Sequence, residues 1–165
     1  MKIAILGAGG MRLPLLYAAL AERAEALGLT ELSLMDVDGE RLGLMLDLAR
    51  TGHGTEAPSI RVQPTTDLDQ ALGGAAFVIT TFRVGDMQGR VHDERVPLAH
   101  GLIGQETTGA GGFAMAMRTV PVLRQVIERM RRLCPDAWLV NFANPSGLLA
   151  QAARAAGWER SVGIC

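Results

Sequence analysis

Gly7, Gly9 and Gly10 follow a short apolar run, and Asp36 stands 29 residues after Gly7, at the end of a second such run. That spacing suits the binding of a dinucleotide. Gly7 permits a tight turn, Gly9 lets backbone approach a pyrophosphate, and the helix that follows presents N–H donors at its positive end. An acid closing the second strand can accept from ribose hydroxyls, and it favours NAD over NADP by repelling a 2′-phosphate. Arg12 stands where the third glycine of G-x-G-x-x-G would be. The same residues also suit a turn that only packs helix on sheet, with Asp36 an ordinary loop acid.

A second concentration of chemistry lies in IGQETTGAGGF, residues 103–113, where Gly104, Gly109, Gly111 and Gly112 surround a single acid, Glu106. Bare backbone is entropically costly, so four glycines together imply close approach to something. Glu106 can be a helix-N-terminal acid favoured by the dipole of the helix beyond it.

The elements that must position these residues alternate. Strands are expected at 2–6, 31–35, 59–63, 75–82, 137–142 and 161–165, and helices at 13–27, 39–50, 67–72, 113–133 and 146–156. Gly28 reads as a helix stop and Asp67 as an N-cap. Residues 83–112 read as loop, with short helical pieces around 92–100. Strands alternating with helices imply an α/β fold, a doubly wound parallel sheet of Rossmann type, as one domain over residues 1–165.

Composition narrows the class. The chain has 165 residues, 48% of them hydrophobic and 20% charged, with a net charge of −1. Nothing in that balance supplies an electrostatic footprint for nucleic acid, and the apolar runs are strand-length, far too short to span a membrane. Met1-Lys2 leads straight into a strand, leaving no room for a secretory signal. Two cysteines, Cys134 and Cys165, make no disulfide framework, so a reducing cytoplasm is expected. His53, His92 and His100 have no metal-ligand spacing.

Several stretches in order resemble glycoside hydrolase family 4, above all its NAD- and metal-dependent 6-phospho-β-glucosidases. They are the glycine turn, LMDVDGERL (34–42), FRVGDMQGRVHDERVPLAHGLIGQETTGAGGF (82–113), AWLVNFANPSGL (137–148) and VGIC (162–165). The resemblance implies a glycosidase that oxidises C3 of the sugar with NAD, eliminates the aglycone, adds water and returns the hydride. It implies a divalent metal, usually Mn, acting as a Lewis acid, and a phosphorylated sugar glycoside as substrate.

Residue by residue, the resemblance makes Glu106 the acid that raises the basicity of the catalytic base, and Asn144 and Arg90 substrate contacts, with Arg83 a lesser candidate for the same region. Cys165 becomes a metal ligand, although bare sequence would make it a buried thiol. Asn144 could instead be a simple N-cap, and Arg90 could pair with Asp93 or Glu94. The family's histidine ligand, catalytic tyrosine and second domain are expected beyond Cys165. The isolated chain is therefore expected to be inactive, to bind dinucleotide weakly and to self-associate as a homo-oligomer. Two other readings remain: a lactate/malate-type 2-hydroxy-acid dehydrogenase and a non-enzymatic dinucleotide-sensing module.

Overall fold

The computed structural model describes residues 1–52 and 60–164. Its elements run β1 (Lys2–Leu6), α1 (Leu13–Glu22), α2 (Ala24–Leu27), β2 (Glu31–Met35), α3 (Gly39–Gly52), β3 (Arg61–Thr65), α4 (Leu68–Leu72), β4 (Phe77–Thr80), α5 (Asp86–Ala99), α6 (Gly109–Leu133), β5 (Trp138–Asn141), α7 (Ser146–Ala155) and β6 (Ser161–Gly163). The strand order is β3-β2-β1-β4-β5-β6, the order of a nucleotide-binding α/β sheet. Contacts cluster into two compact units, residues 1–82 with 129–139, and residues 83–128 with 140–165.

In the first unit, β1 lies between β2 and β4, and both pairings are parallel, with Ile5 opposite Leu34 and Ile79. A strand covered on both faces needs an unbroken apolar run, and Ile3, Ala4, Ile5 and Leu6 are all buried. β3 forms the edge and pairs with β2 in parallel, with Pro64 opposite Leu34. Gly28 adopts φ 61° and closes α2, and the N–H of Leu29 reaches the Ala24 carbonyl at 2.8 Å. Asp67 caps α4, its side chain accepting from the N–H groups of Asp69 and Gln70 at 2.8 and 3.2 Å.

In the second unit, α6 buries Met115, Leu123 and Ile127, while Leu149 and Ala153 form the buried stripe of α7. β6 lies beside the end of β5, joined by the Ile164 N–H to the Asn141 carbonyl at 2.8 Å.

Four expectations change. The helix expected over 13–27 breaks at Arg23, which leaves helical geometry at φ −106°, ψ 10°. The third strand sits at Arg61–Thr65 because an edge position tolerates Pro64. Residues 83–112 hold a 14-residue helix, α5, in place of short pieces. Its buried residues are Asp93 and Pro97, whereas Met87, Val91, Val96 and Leu98 are exposed, so apolar periodicity hides it. α6 starts at Gly109, four residues early, through glycines whose helix propensity is poor but whose small size the packing requires. His53 and Cys165 lie outside the described residues.

Asp67→Ala should lower stability by about 1 kcal/mol by stripping two N–H groups of their acceptor, read as a lower midpoint in denaturant without a change of slope.

Candidate functional site

The glycine turn belongs to the first unit. Gly7 has φ 90°, and a Cβ there would sit 2.5 Å from the backbone nitrogen of Phe82, so only glycine fits. The N–H groups of Gly7 and Ala8 both donate to the Met35 carbonyl, at 2.9 and 3.0 Å, and tie the turn to the end of β2. Asp36 is the next residue. Its Oδ2 accepts from the Gly9 N–H at 2.7 Å and its Oδ1 from the Asp38 N–H at 3.1 Å. The carboxylate that would read a ribose therefore also shapes the turn. Each oxygen accepts one of these bonds, and a carboxylate oxygen has the lone pairs to accept a second donor. Asp38 is exposed and caps α3, accepting from the N–H groups of Glu40 and Arg41 at 3.1 and 3.0 Å.

The second constellation lies wholly in the second unit, with Glu106 at its centre. Arg83 donates to Glu106 Oε1. Arg90 places Nη1 3.3 Å from Oε2, and the Asn144 amide lies 3.4 Å from Oε1. Arg90 also donates through Nε to Glu94 Oε1 at 2.8 Å, one turn along α5. The candidates Glu106, Arg90 and Asn144 thus converge, although 54 residues separate Arg90 from Asn144. The pairing of Arg83 with Glu106 has no signal in the local sequence. Asn144 precedes a cis peptide bond to Pro145. Pro145, not Asn144, is the N-cap residue of α7.

The electrostatics follow from this arrangement. Burial alone would raise the pKa of the Glu106 carboxyl. The hydrogen bond and charge of Arg83, with Asn144 and Arg90, outweigh burial and hold it below the ordinary carboxylate value. The hydrogen bond from Arg90 to Glu94, then the charges of Glu106 and Glu94, push the Arg90 guanidinium up. Glu106 is therefore a fixed anion at neutral pH. Each guanidinium keeps N–H donors beyond these bonds, and the Asn144 amide oxygen can still accept.

Gly104 and Gly111, on either side of Glu106, leave no room for a side chain. A Cβ at Gly111 would lie 2.1 Å from the Gln105 carbonyl oxygen and 2.8 Å from that of Asp93, and one at Gly104 would lie 2.3 Å from the Glu94 carbonyl oxygen. These are close approaches to the chain's own backbone. They press the loop bearing Glu106 onto α5, which bears Arg90.

Among the described residues no group of three or more His, Cys, Asp or Glu side chains could hold a metal ion. His92 and His100 are exposed. Burial pushes the Cys134 thiol up to about 11, so it stays protonated. Tyr17 is buried in α1. No helix among the described residues is long and apolar enough to cross a membrane.

Glu106→Gln should flatten part of the acid limb of stability. The folded carboxyl has the lower pKa, so its stabilisation is complete above the ordinary value of 4.5 and is lost as pH falls through the folded value. Wild-type and variant melting temperatures compared from neutral pH downward check this. Gly111→Ala should cost more than about 2 kcal/mol, because backbone must move to admit the methyl.

The model of the family 4 glycosyl hydrolases matches residues 2–165. The 6-phospho-beta-glucosidase of Escherichia coli (strain K12) is 38% identical across all of this chain, which spans 37% of that protein. A probable 6-phospho-beta-glucosidase of Bacillus subtilis (strain 168) is 40% identical, again across the whole chain and 38% of the relative. The structure of the 6-phospho-beta glucosidase from Thermotoga maritima, solved with manganese, NAD+ and glucose-6-phosphate, superposes with a TM-score of 0.93 at 34% identity. It covers all of this chain, which spans 40% of that one. The chain thus spans well under half the length of these relatives, and it belongs to family 4 of the glycosyl hydrolases.

Proposed function

We propose that the chain forms the dinucleotide-binding and substrate-polarising part of a glycosidase that hydrolyses 6-phospho-β-glucosides with NAD and a divalent metal, Mn in the first instance. The observation that carries this reading is the convergence of Arg83, Arg90 and Asn144 on Glu106. Family membership sets aside the lactate/malate-type dehydrogenase. NAD, where bound, supplies a hydride acceptor. Gly7, Gly9, Gly10 and Asp36 would hold it, the glycines by admitting phosphate close to backbone and Asp36 by accepting from ribose hydroxyls.

In this reading Glu106 acts without changing its own protonation. A fixed anion stabilises positive charge and protonated states near it, so it raises the basicity of a neighbouring base. Arg90 and Arg83 hold that anion in place and offer their remaining N–H groups to a sugar hydroxyl or phosphate, which a guanidinium meets in planar, paired fashion. Asn144 both donates and accepts, as a hydroxyl-rich ligand requires. Cys165 is the proposed metal ligand. The described residues do not make a metal site by themselves, and the chemistry assigned here belongs to side chains alone. A phosphorylated sugar does not cross a membrane unaided, which supports a cytoplasmic setting.

Titrated with NAD+ and NADP+ by calorimetry, the chain should prefer NAD+. Asp36→Ala should lower NAD+ affinity roughly 10- to 100-fold, the worth of a charge-assisted hydrogen bond or two, and narrow that preference. Equal affinity for the two nucleotides, or indifference to Asp36, would count against the nucleotide assignment. For the reaction, this chain can replace the matched portion of the E. coli relative. The chimera should hydrolyse an aryl 6-phospho-β-glucoside with NAD+ and Mn2+ without accumulating NADH. Glu106→Gln should cut its turnover by about 10²-fold or more. A folded, NAD+-binding chimera indifferent to Glu106 would overturn the role given to that carboxylate.

A further inference from the structure

Three residues along α5 from Arg90 lies an ion pair that packs against backbone beside Arg83 and Arg90. Asp93 is 5% exposed. Arg118, on α6, grips it with both arms of its fork, Nη1 to Oδ1 at 2.8 Å and Nη2 to Oδ2. The Arg118 Nε lies 3.5 Å from the carbonyl of Val84, the residue after Arg83. On the other side, the Asp93 carbonyl lies where a Cβ at Gly111 would come within 2.8 Å, beside the carbonyl of Gln105, the residue before Glu106. The guanidinium fills the space of a missing side chain: a Cβ at Gly89 would sit 3.1 Å from Nη2 and one at Gly85 3.0 Å from Nε.

We infer that the Arg118–Asp93 pair is the positioning device of the carboxylate cluster: by clamping the middle of α5 to α6 it sets where Arg83 and Arg90 stand against Glu106. A buried carboxylate with one cationic partner cannot drift from it without leaving a charge unpaired in a poor solvent. A bidentate fork fixes orientation as well as distance, which a lysine ammonium does not. One turn of helix separates Asp93 from Arg90, so a rotation or slide of α5 that broke the fork would carry Arg90 away from Glu106. The inference rests on Glu106 being the working carboxylate, and its test separates the two claims.

Glu106 is faced by Arg83 from the segment after β4, by Arg90 from α5 with Glu94 behind it, and by Asn144 from the β5–α7 connection. The carboxyl carbon of Glu106 can be titrated by NMR in the labelled chain, alongside thermal melts, for wild type, Arg118→Gln, Arg118→Lys and Gly89→Ala. Arg118→Gln and Arg118→Lys should both bring the Glu106 midpoint up toward its ordinary value in the folded protein. Gly89→Ala, which presses on the fork, should move it the same way by less. Lysine keeps the charge but not the fork, so a folded Arg118→Lys with the wild-type midpoint overturns the inference whatever its melting temperature. If Arg118→Gln does not fold, Arg118→Lys still decides. A midpoint that responds while wild type binds no glucose 6-phosphate in the presence of NAD+ upholds the positioning role and rejects the proposed function. Unchanged midpoints with binding intact do the reverse.

Discussion

A carboxylate drawn largely out of water must find compensating charge, and in this chain Glu106 finds it in two arginines that come from different segments. The demand is reciprocal. Without Glu106, Arg83 and Arg90 would face each other as like charges in a half-buried recess. That mutual dependence explains why the loop after α5 tolerates glycines so costly to helix and loop alike. Only bare backbone lets Glu106 come close enough to α5 to be held there. The same economy appears in the first unit, where the N–H of Gly9 donates to Asp36 and that acid closes the turn.

The two constellations differ in where their precision comes from. The glycine turn is local: Gly7, Gly9 and Asp36 are ordered by hydrogen bonds to the end of β2 and by the rise of β1 into it. The Glu106 cluster is assembled from four segments: the stretch after β4, α5, the loop bearing Glu106 and the β5–α7 connection. Local order survives modest damage elsewhere. Assembled order does not, and this makes the second cluster the more sensitive reporter of packing in its unit.

Much of the fold was legible because most strands carry buried apolar runs and most helices carry an apolar stripe. The turn, Asp36, the Asp67 cap and the Gly28 stop are short-range devices with residue-specific chemistry, and they stand where the sequence implies. α5 was not legible because its inward residues are Asp93 and Pro97 while its apolar residues face outward. A reader of periodicity is misled when the buried face is ionic. Within the site, Glu106, Arg90 and Asn144 could be named singly, but their meeting could not, because nothing in local spacing joins residues 90, 106 and 144. The partnership of Arg118 with Asp93 was invisible for the same reason. Its trace was Gly89 inside α5 and Gly85 at its N-cap, glycines that signal close approach or a special turn without saying of what.

Pro64 has a consequence for how the folded protein behaves in a crowd. In β3 the Arg61 N–H donates to Thr30 and the Thr65 carbonyl accepts from Asp36, so odd-numbered residues face β2 and Val62 and Pro64 face outward. A proline has no N–H to offer there. Of the two outward positions in β3, only Val62 can donate to a further strand. An extended segment from another molecule would meet a ladder with one of its two donor rungs missing. One ring thus weakens the template for further growth on this side, at the place where a parallel sheet is most open to it.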